Sequence, residues 1–410
     1  MSVRGFVWLA CIFSLAWLPP QPYRPQVNTL YAPDTIWLRK FLYERTPELK
    51  PYLDRSDKYQ IQILYTQINR DAKNRPILKH YSFRLDTLNY FYPASIVKLP
   101  LVALAVEQVE KLKSKGITLH TPFMLEPSDK GCLREVERRA FTLVDCIRRQ
   151  MVYSDNLTFD YLYALVGPAY ATLSLKQRGY TSAYFGHRLA RSCSPEENFC
   201  VEKVSFLRER KEPYIIPASC LETPLPHPYP KHPNLVSEYA NSLSLRDAHA
   251  ILISLIFPQV VKASQRFQIS SEGYHILRRY LSMYPSEAGD FADFPPHEYH
   301  DGSRKFFIMG CDTMKPPPRI RIFNKVGLAW GYLIDVAYIV DFELGVEFFL
   351  SAVIYVGEGK PGYPPAQGYP WSRGFKFLKD LSWAIYRYET TRRKPYLPNL
   401  SAFRYDYHRR

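Results

Sequence analysis

Apolar and polar positions follow two different periods along this chain, and the two segregate by region. Residues 59–68 alternate, and residues 76–85 alternate again after a polar turn from Asn69 to Arg75, which predicts a β-hairpin. Three more strands are predicted near the other end, over 320–330, 331–342 and 346–356, joined by short turns such as Glu343-Leu-Gly345. Between these regions the period lengthens to that of helices. Helices are predicted over 35–43, over 95–113, over 142–153 behind the capping-box pattern Thr142-Leu-Val-Asp145, and over 157–166, stopping at Gly167-Pro168. Another runs from the Ser244-Leu-Arg-Asp247 cap to Phe257, and a last one covers 374–388. Pro100 fits the second helix only if it falls in the first turn, where its missing N–H costs nothing. Strands at both ends with helices between predict an α+β fold, with one antiparallel sheet drawn from the two chain ends.

Proline then marks what does not fit. Seven prolines between Pro213 and Pro233, with further clusters at 285–296 and 316–318, predict irregular insertions at about 190–240 and 285–318. The 410 residues are 46% hydrophobic and 23% charged, a globular balance, with no internal repeat or low-complexity stretch. The net charge of +15 invites a polyanion reading. It is dispersed, however, densest at 134–139, at 208–211 and in a basic tail from 391 to 410, and no nucleic-acid motif accompanies it.

The first residues bear on compartment. Met1-Ser-Val-Arg4, an apolar run from Phe6 to Leu18 and Pro19-Pro20 read as an export signal over residues 1–20. The run is short of the roughly 20 residues that span a bilayer, so no stable membrane span is expected. Cys11 lies inside it, a poor context for lipid attachment. An exported chain would be periplasmic or held at the cell envelope, where its other six cysteines could pair, in any of about fifteen ways. Cys193 and Cys200 are near enough to close a small loop, and Cys146 reads as a buried helix thiol. His297-Glu-Tyr-His300 reads as loop, and no metal or organic cofactor is implied.

Three short motifs carry the chemistry. Ser95-Ile-Val-Lys98 opens a helix, Ser154-Asp155-Asn156 sits between helices, and Lys325-Val-Gly327 lies on a strand. Ser and Lys three apart share a helix face, so an amine can take the hydroxyl proton while the helix N-terminus faces a developing oxyanion. Lys360-Pro-Gly362 competes with the third motif, but its neighbours Gly357-Glu-Gly and Tyr363-Pro-Pro365 are those of a loop. Chemistry based on a Gly-x-Ser-x-Gly elbow is set aside, since the chain has no such pentapeptide.

The order and setting of these motifs resemble the penicillin-recognising serine hydrolases, the class A β-lactamases and penicillin-binding D,D-peptidases. Residues 142–156 look like the family's helix entering its Ser-Asp-Asn turn, and the resemblance spans about 35–390 with the Pro-rich insertions unmatched. It implies a β-lactamase-like fold in which a helical subdomain carries the nucleophile. It also implies that Ser95 is the acylated nucleophile, Lys98 its base, and Ser154 the proton relay to the leaving nitrogen. Asn156 would hold the substrate amide, and Lys325 would draw the substrate carboxylate. Gly327 and Leu328 would belong to the substrate-binding strand, with the N–H groups of Ser95 and Leu328 as oxyanion hole.

Two departures stand out. Val326 replaces the family's hydroxyl, and no Glu-x-x-Leu-Asn pentad follows Asn156, although Glu196, Glu197 and Glu202 lie in the right region. The first functional expectation is an exported serine hydrolase acting on β-lactam amides through a Ser95 acyl-enzyme. The alternative is the same chemistry on a peptidoglycan peptide, as a carboxypeptidase, which both departures favour. A catalytically silent envelope-binding relative is the third reading, and it makes Ser95 dispensable. No nucleic-acid partner is expected.

Overall fold

In the computed structural model the described residues are 33–127, 131–132, 139–290 and 292–407. The export-signal reading over 1–20, Cys11 and most of the basic stretch 134–139 lie outside them. Five strands form the main sheet: β1 (Gln62–Arg70), β2 (Pro76–Phe83), β3 (Ile320–Ala329), β4 (Tyr332–Asp341) and β5 (Val346–Tyr355). Their order is β2-β1-β5-β4-β3 and every pairing is antiparallel, so the two chain ends do share one sheet. β1 starts three residues later than its alternating pattern, because residues 57–60 close a turn in which Ile61 N–H reaches Ser56.

The period-2 pattern sorts side chains to two cores. Ile63 and Tyr65 face one side, where α1 (Thr35–Arg45) and the last helix, α8 (Trp371–Thr391), lay Leu38, Leu42, Phe377, Leu378, Leu381 and Ile385 on the sheet. Leu64 and Ile68 face the other side and a larger core shared with the intervening helices. These are α2 (Lys98–Lys111), α3 (Leu143–Arg148), α4 (Asn156–Val166), α5 (Pro168–Gln177), α6 (Leu245–Ile256) and α7 (Ser271–Ser282). α6 packs on β1, β4 and β5, and α7 on β3, so the helical region is fused to the sheet rather than hung from it. Pro100 is the third residue of α2, within its first turn, as the helix requires.

Several elements differ from the sequence expectation. The segment 142–153 keeps its capping box, Thr142 with Asp145, but is α-helical only to Arg148 and then widens into a π-helical turn over Arg149–Tyr153. α7 has no counterpart among the predicted helices, although Tyr274, Ile276, Leu277, Tyr280 and Leu281 form one buried face at helical spacing. The 190–240 insertion is not wholly irregular: Lys203–Phe206 pairs with both Phe123–Glu126 and Tyr214–Ile216, and Cys200–Val201 pairs with Ser219–Cys220. Strands of two to four residues are too short to register as a period. The stretch after 391 packs back onto the fold, with Phe403 against Phe257, Phe323 and Tyr338.

Cysteine pairing corrects the Cys193–Cys200 expectation. Cys200 pairs with Cys220 across the two-stranded ladder, and Cys193 pairs with Cys132, 61 residues upstream. Sequence proximity lost to the register that places Cys200 opposite Cys220. Cys146 is free and buried, and Cys311 is free and half-buried. A non-reducing peptide map is therefore expected to link 132 to 193 and 200 to 220 and to leave 146 and 311 alkylatable after unfolding. A 193–200 peptide would contradict this topology.

Candidate active site

Ser95 lies in a tight 3-10 turn, Ala94–Val97, that runs straight into α2. The turn is entered through Ala94 at φ 46, a left-handed conformation costly for any residue but glycine. It brings the half-buried Ser95 hydroxyl over the first residue of α2, Lys98, whose Nζ is 2.9 Å from Ser95 Oγ. The Lys98 side chain is fully buried.

The second group comes from the π-helical turn. The Ser154 N–H closes it onto Arg149 O, the Asp155 N–H reaches the same oxygen at 3.1 Å, and Ser154 is turned to φ 65. Asp155 serves the backbone: its carboxylate caps α4 at Leu157 N–H and Thr158 N–H and accepts from Arg149 Nε at 3.1 Å. Ser154 and Asn156 are thereby turned toward the amine. Lys98 Nζ lies 2.5 Å from Ser154 O, 2.6 Å from Asn156 Oδ1 and 3.3 Å from Ser154 Oγ.

The third group sits on β3, an edge strand. Lys325 is buried and donates to Ser154 Oγ and to Val326 O, each at 2.9 Å. Gly327 follows because β3 runs against the Ser95 turn. A Cβ there would stand 2.8 Å from Pro93 O and 3.3 Å from Ala94 Cβ. Leu328 is 40% exposed on the open edge. Val326 packs its side chain into the core beneath α8 and offers no hydrogen bond. The structure thus gathers Ser95, Lys98, Ser154, Asn156, Lys325 and Gly327 at one point, and Lys360 of the competing motif is not among them, standing in an exposed loop.

Electrostatics at this point are set by burial. Desolvation pushes the Lys98 amine down to about 7, with the Arg304 guanidinium adding to the fall and Asp155 and Asp160 opposing it. Desolvation also pushes Lys325 well below the ordinary lysine range, and Lys98 and Arg304 deepen the shift. Ser154 O and Asn156 Oδ1 can only accept, so two N–H bonds of a neutral Lys98 go to them. The remaining position on Nζ, a lone pair, then faces the Ser95 hydroxyl.

Two residues here escaped the sequence reading. Arg304, from the Pro-rich insertion before β3, donates to Tyr153 O at 2.8 Å and stacks on Tyr299, placing a guanidinium beside the two lysine amines. No periodic pattern marks an arginine in such a loop. Asp160, one turn into α4, accepts from Leu189 N–H at 2.9 Å and from Ala190 N–H at 3.4 Å, pinning the loop that forms one wall of an adjoining cleft. Burial raises its carboxyl to about 6.

That cleft, about 700 Å³, runs between the 187–198 loop, Tyr92 and the β3–β4 turn, and among the described residues none that lines it is acidic. The three glutamates expected in the region are used otherwise. Glu202 is buried and bonds Arg188 at 2.6 Å, Glu197 closes a capping box with Ser194, and Glu196 stands in solvent. Among the described residues, no group of three His, Cys, Asp or Glu is placed to hold a metal ion, and no helix is long and apolar enough to cross a membrane.

A five-stranded antiparallel sheet from both chain ends, a helix-borne Ser-x-x-Lys, a Ser-Asp-Asn turn and an edge-strand Lys-x-Gly together define the penicillin-recognising serine hydrolases. The chain belongs to the Beta-lactamase enzyme family, whose model matches residues 46–270. Among solved structures it is similar to a β-lactamase from Sphaerobacter thermophilus, at 14% identity over 84% of this chain and 98% of that one, TM-score 0.48. It is also similar to PBP-A, at 13% identity over 83% and 97%, TM-score 0.46. A class A β-lactamase from Clostridium kluyveri is similar at 12% identity over 84% and 99%, TM-score 0.47. No curated protein matches the chain in sequence.

The β3 approach gives a test independent of activity. Gly327→Ala forces a methyl against Pro93 O, so the variant is expected to lose about 1–3 kcal/mol in urea unfolding. An unchanged midpoint would mean that β3 and the Ser95 turn are not in contact.

Proposed function

We propose that the chain is a serine hydrolase acylated on Ser95 by β-lactam amides and by peptides ending in D-alanyl-D-alanine, and that its acyl-enzyme is long-lived. Lys98 takes the Ser95 proton as Oγ attacks the carbonyl. The tetrahedral oxyanion is held by the N–H groups of Ser95 and Leu328. As the C–N bond breaks, Ser154 passes a proton to the leaving nitrogen and is recharged from Lys98, while Lys325 and Arg304 hold the substrate carboxylate that Val326 cannot bond.

The observation that carries this reading is the Lys98 amine, buried and bonded to Ser95, Ser154 and Asn156 at once. The order of the two substrate expectations is reversed by the cleft. Efficient lactam hydrolysis needs a base to activate water against the acyl-enzyme. Among the described residues the cleft is lined by Leu189 and Ala190 where the loop is pinned to Asp160, and by no carboxylate, which favours the peptidase-like, penicillin-binding branch. Export is part of the same proposal, supported by the apolar run at 6–18 and by two disulfides, which suit an oxidising compartment.

Intact mass after exposure to benzylpenicillin is expected to show a stoichiometric adduct that persists for many minutes and is absent in Ser95→Ala. Rapid lactam loss without an adduct would restore the β-lactamase reading; neither adduct nor loss would remove both. The acylation rate is expected to rise with pH through about 7 and then level, since only the neutral Lys98 amine accepts a proton. Lys98→Met is expected to lower it about 10²–10⁴-fold. A rate that falls across that range would contradict the assignment of Lys98 as base.

A further inference from the structure

The acyl side of the proposed site continues into the adjoining cleft, and the cleft has a chemical character of its own. The Ser95 turn meets β3 at Gly327, so the strand runs in two directions from the nucleophile. One leads back to Lys325. The other leads to Trp330, which at about 3.3 Å per residue lies some 16 Å from Lys325. A substrate whose leaving carboxylate is drawn to Lys325 therefore lays its acyl portion toward Trp330.

Aromatic side chains wall this end. Trp330 is 42% exposed and held at φ 53 in a two-residue turn with Gly331 at φ 86, a conformation disfavoured for a bulky residue. Its ring lies 6.4 Å from that of Tyr92, which stacks in turn on His187 at 6.0 Å. His187 is tied down, its Nδ1–H donating to Arg188 O at 2.6 Å and its Nε2 accepting from the Tyr92 hydroxyl at 3.3 Å. Tyr363, 68% exposed, stands across the cleft.

Among the described residues, the charged side chains that line the cleft are all basic. Arg188 is neutralised by Glu202, but Arg191 and Lys360 have no carboxylate partner among the described residues, and both line the cleft. Glu196 and Glu238 act on the Tyr239 phenol at one edge and line no part of it. Lys360-Pro-Gly362, which competed with the third catalytic motif in the sequence, is thus placed beside the site after all, on its acyl side.

We propose that this cleft is an acyl-side subsite selective for donors that carry a carboxylate on an extended side chain, recognised by Arg191 and Lys360 over the Trp330–Tyr92 wall. The proposal rests on acylation at Ser95, and it names the substrate class as an acidic acyl donor, such as a peptide with a free side-chain carboxylate. Two cations near a half-exposed aromatic wall favour such a group over a neutral one, and more strongly at low salt.

Carbenicillin and benzylpenicillin differ by one carboxylate on the same arylacetyl side chain, so they serve as the probe pair. The second-order acylation constant, read by intact mass at low salt, is expected to be at least about fivefold higher for carbenicillin. In the Arg191→Ala/Lys360→Ala variant the ratio is expected to fall below about twofold while benzylpenicillin acylation stays unchanged. A wild-type ratio near one, or a ratio unchanged in the variant, overturns the proposal. Equilibrium binding to the unreactive Ser95→Ala protein separates this from failure of the acylation reading. A D-glutamyl peptide is expected to bind at least about fivefold tighter than its D-glutaminyl counterpart, and equal affinities overturn the subsite even if no penicillin reacts.

Discussion

An amine buried without a carboxylate bonded to it is the constraint around which this molecule is arranged. Lys98 donates to a backbone carbonyl and an amide oxygen and is hydrogen-bonded to two hydroxyls. Its desolvation is only partly offset by Asp155 and Asp160, and Arg304 works against the charged form. A lysine in such a place relaxes toward neutrality rather than staying charged in a medium that solvates it poorly. The same burial that costs stability produces a base suited to neutral pH.

Holding that amine requires three separate elements to converge, and each carries an irregularity where it does so. The helix bearing Lys98 begins as a 3-10 turn behind a left-handed Ala94. The helix before Ser154 ends in a π-helical turn and a left-handed serine, and β3 gives up a side chain at Gly327. None of these departures helps its own element. They are sustained by the sheet, in which β4 and β5 are buried along their whole length, and by ties such as the bidentate Arg70–Glu347 pair, which also receives the Tyr338 hydroxyl. A rigid sheet with strained local turns is a common way to fix a reactive geometry.

Much of this was legible in the sequence because it rests on period and on local chemistry. Strands of eight to ten residues with clean alternation, and caps such as Thr142-x-x-Asp145, announce themselves. The three motifs in order pointed to side chains that the fold brings together, since each is short and sits at the end of an element. What could not be read depends on tertiary register. The pairing of Cys200 with Cys220, the arrival of Arg304 from a Pro-rich loop and the diversion of Glu202 into a buried pair with Arg188 have no local signature. Helix α7 went unread although Ile276, Leu277, Tyr280 and Leu281 recur at helical spacing behind the Ser270 cap. Lys360-Pro-Gly362 is the instructive case, a motif that lies away from the Ser95–Lys98 cluster and lines the neighbouring cleft.

The central claim is that the Lys98 amine is neutral at working pH because it is buried. Its direct test is an NMR titration of lysine-labelled protein, with the Lys98 resonance assigned by its loss in Lys98→Met. The account predicts a midpoint near 7, far below that of the solvent-exposed lysines. A midpoint near 10, alongside the surface lysines, would contradict it and leave Ser95 without its base.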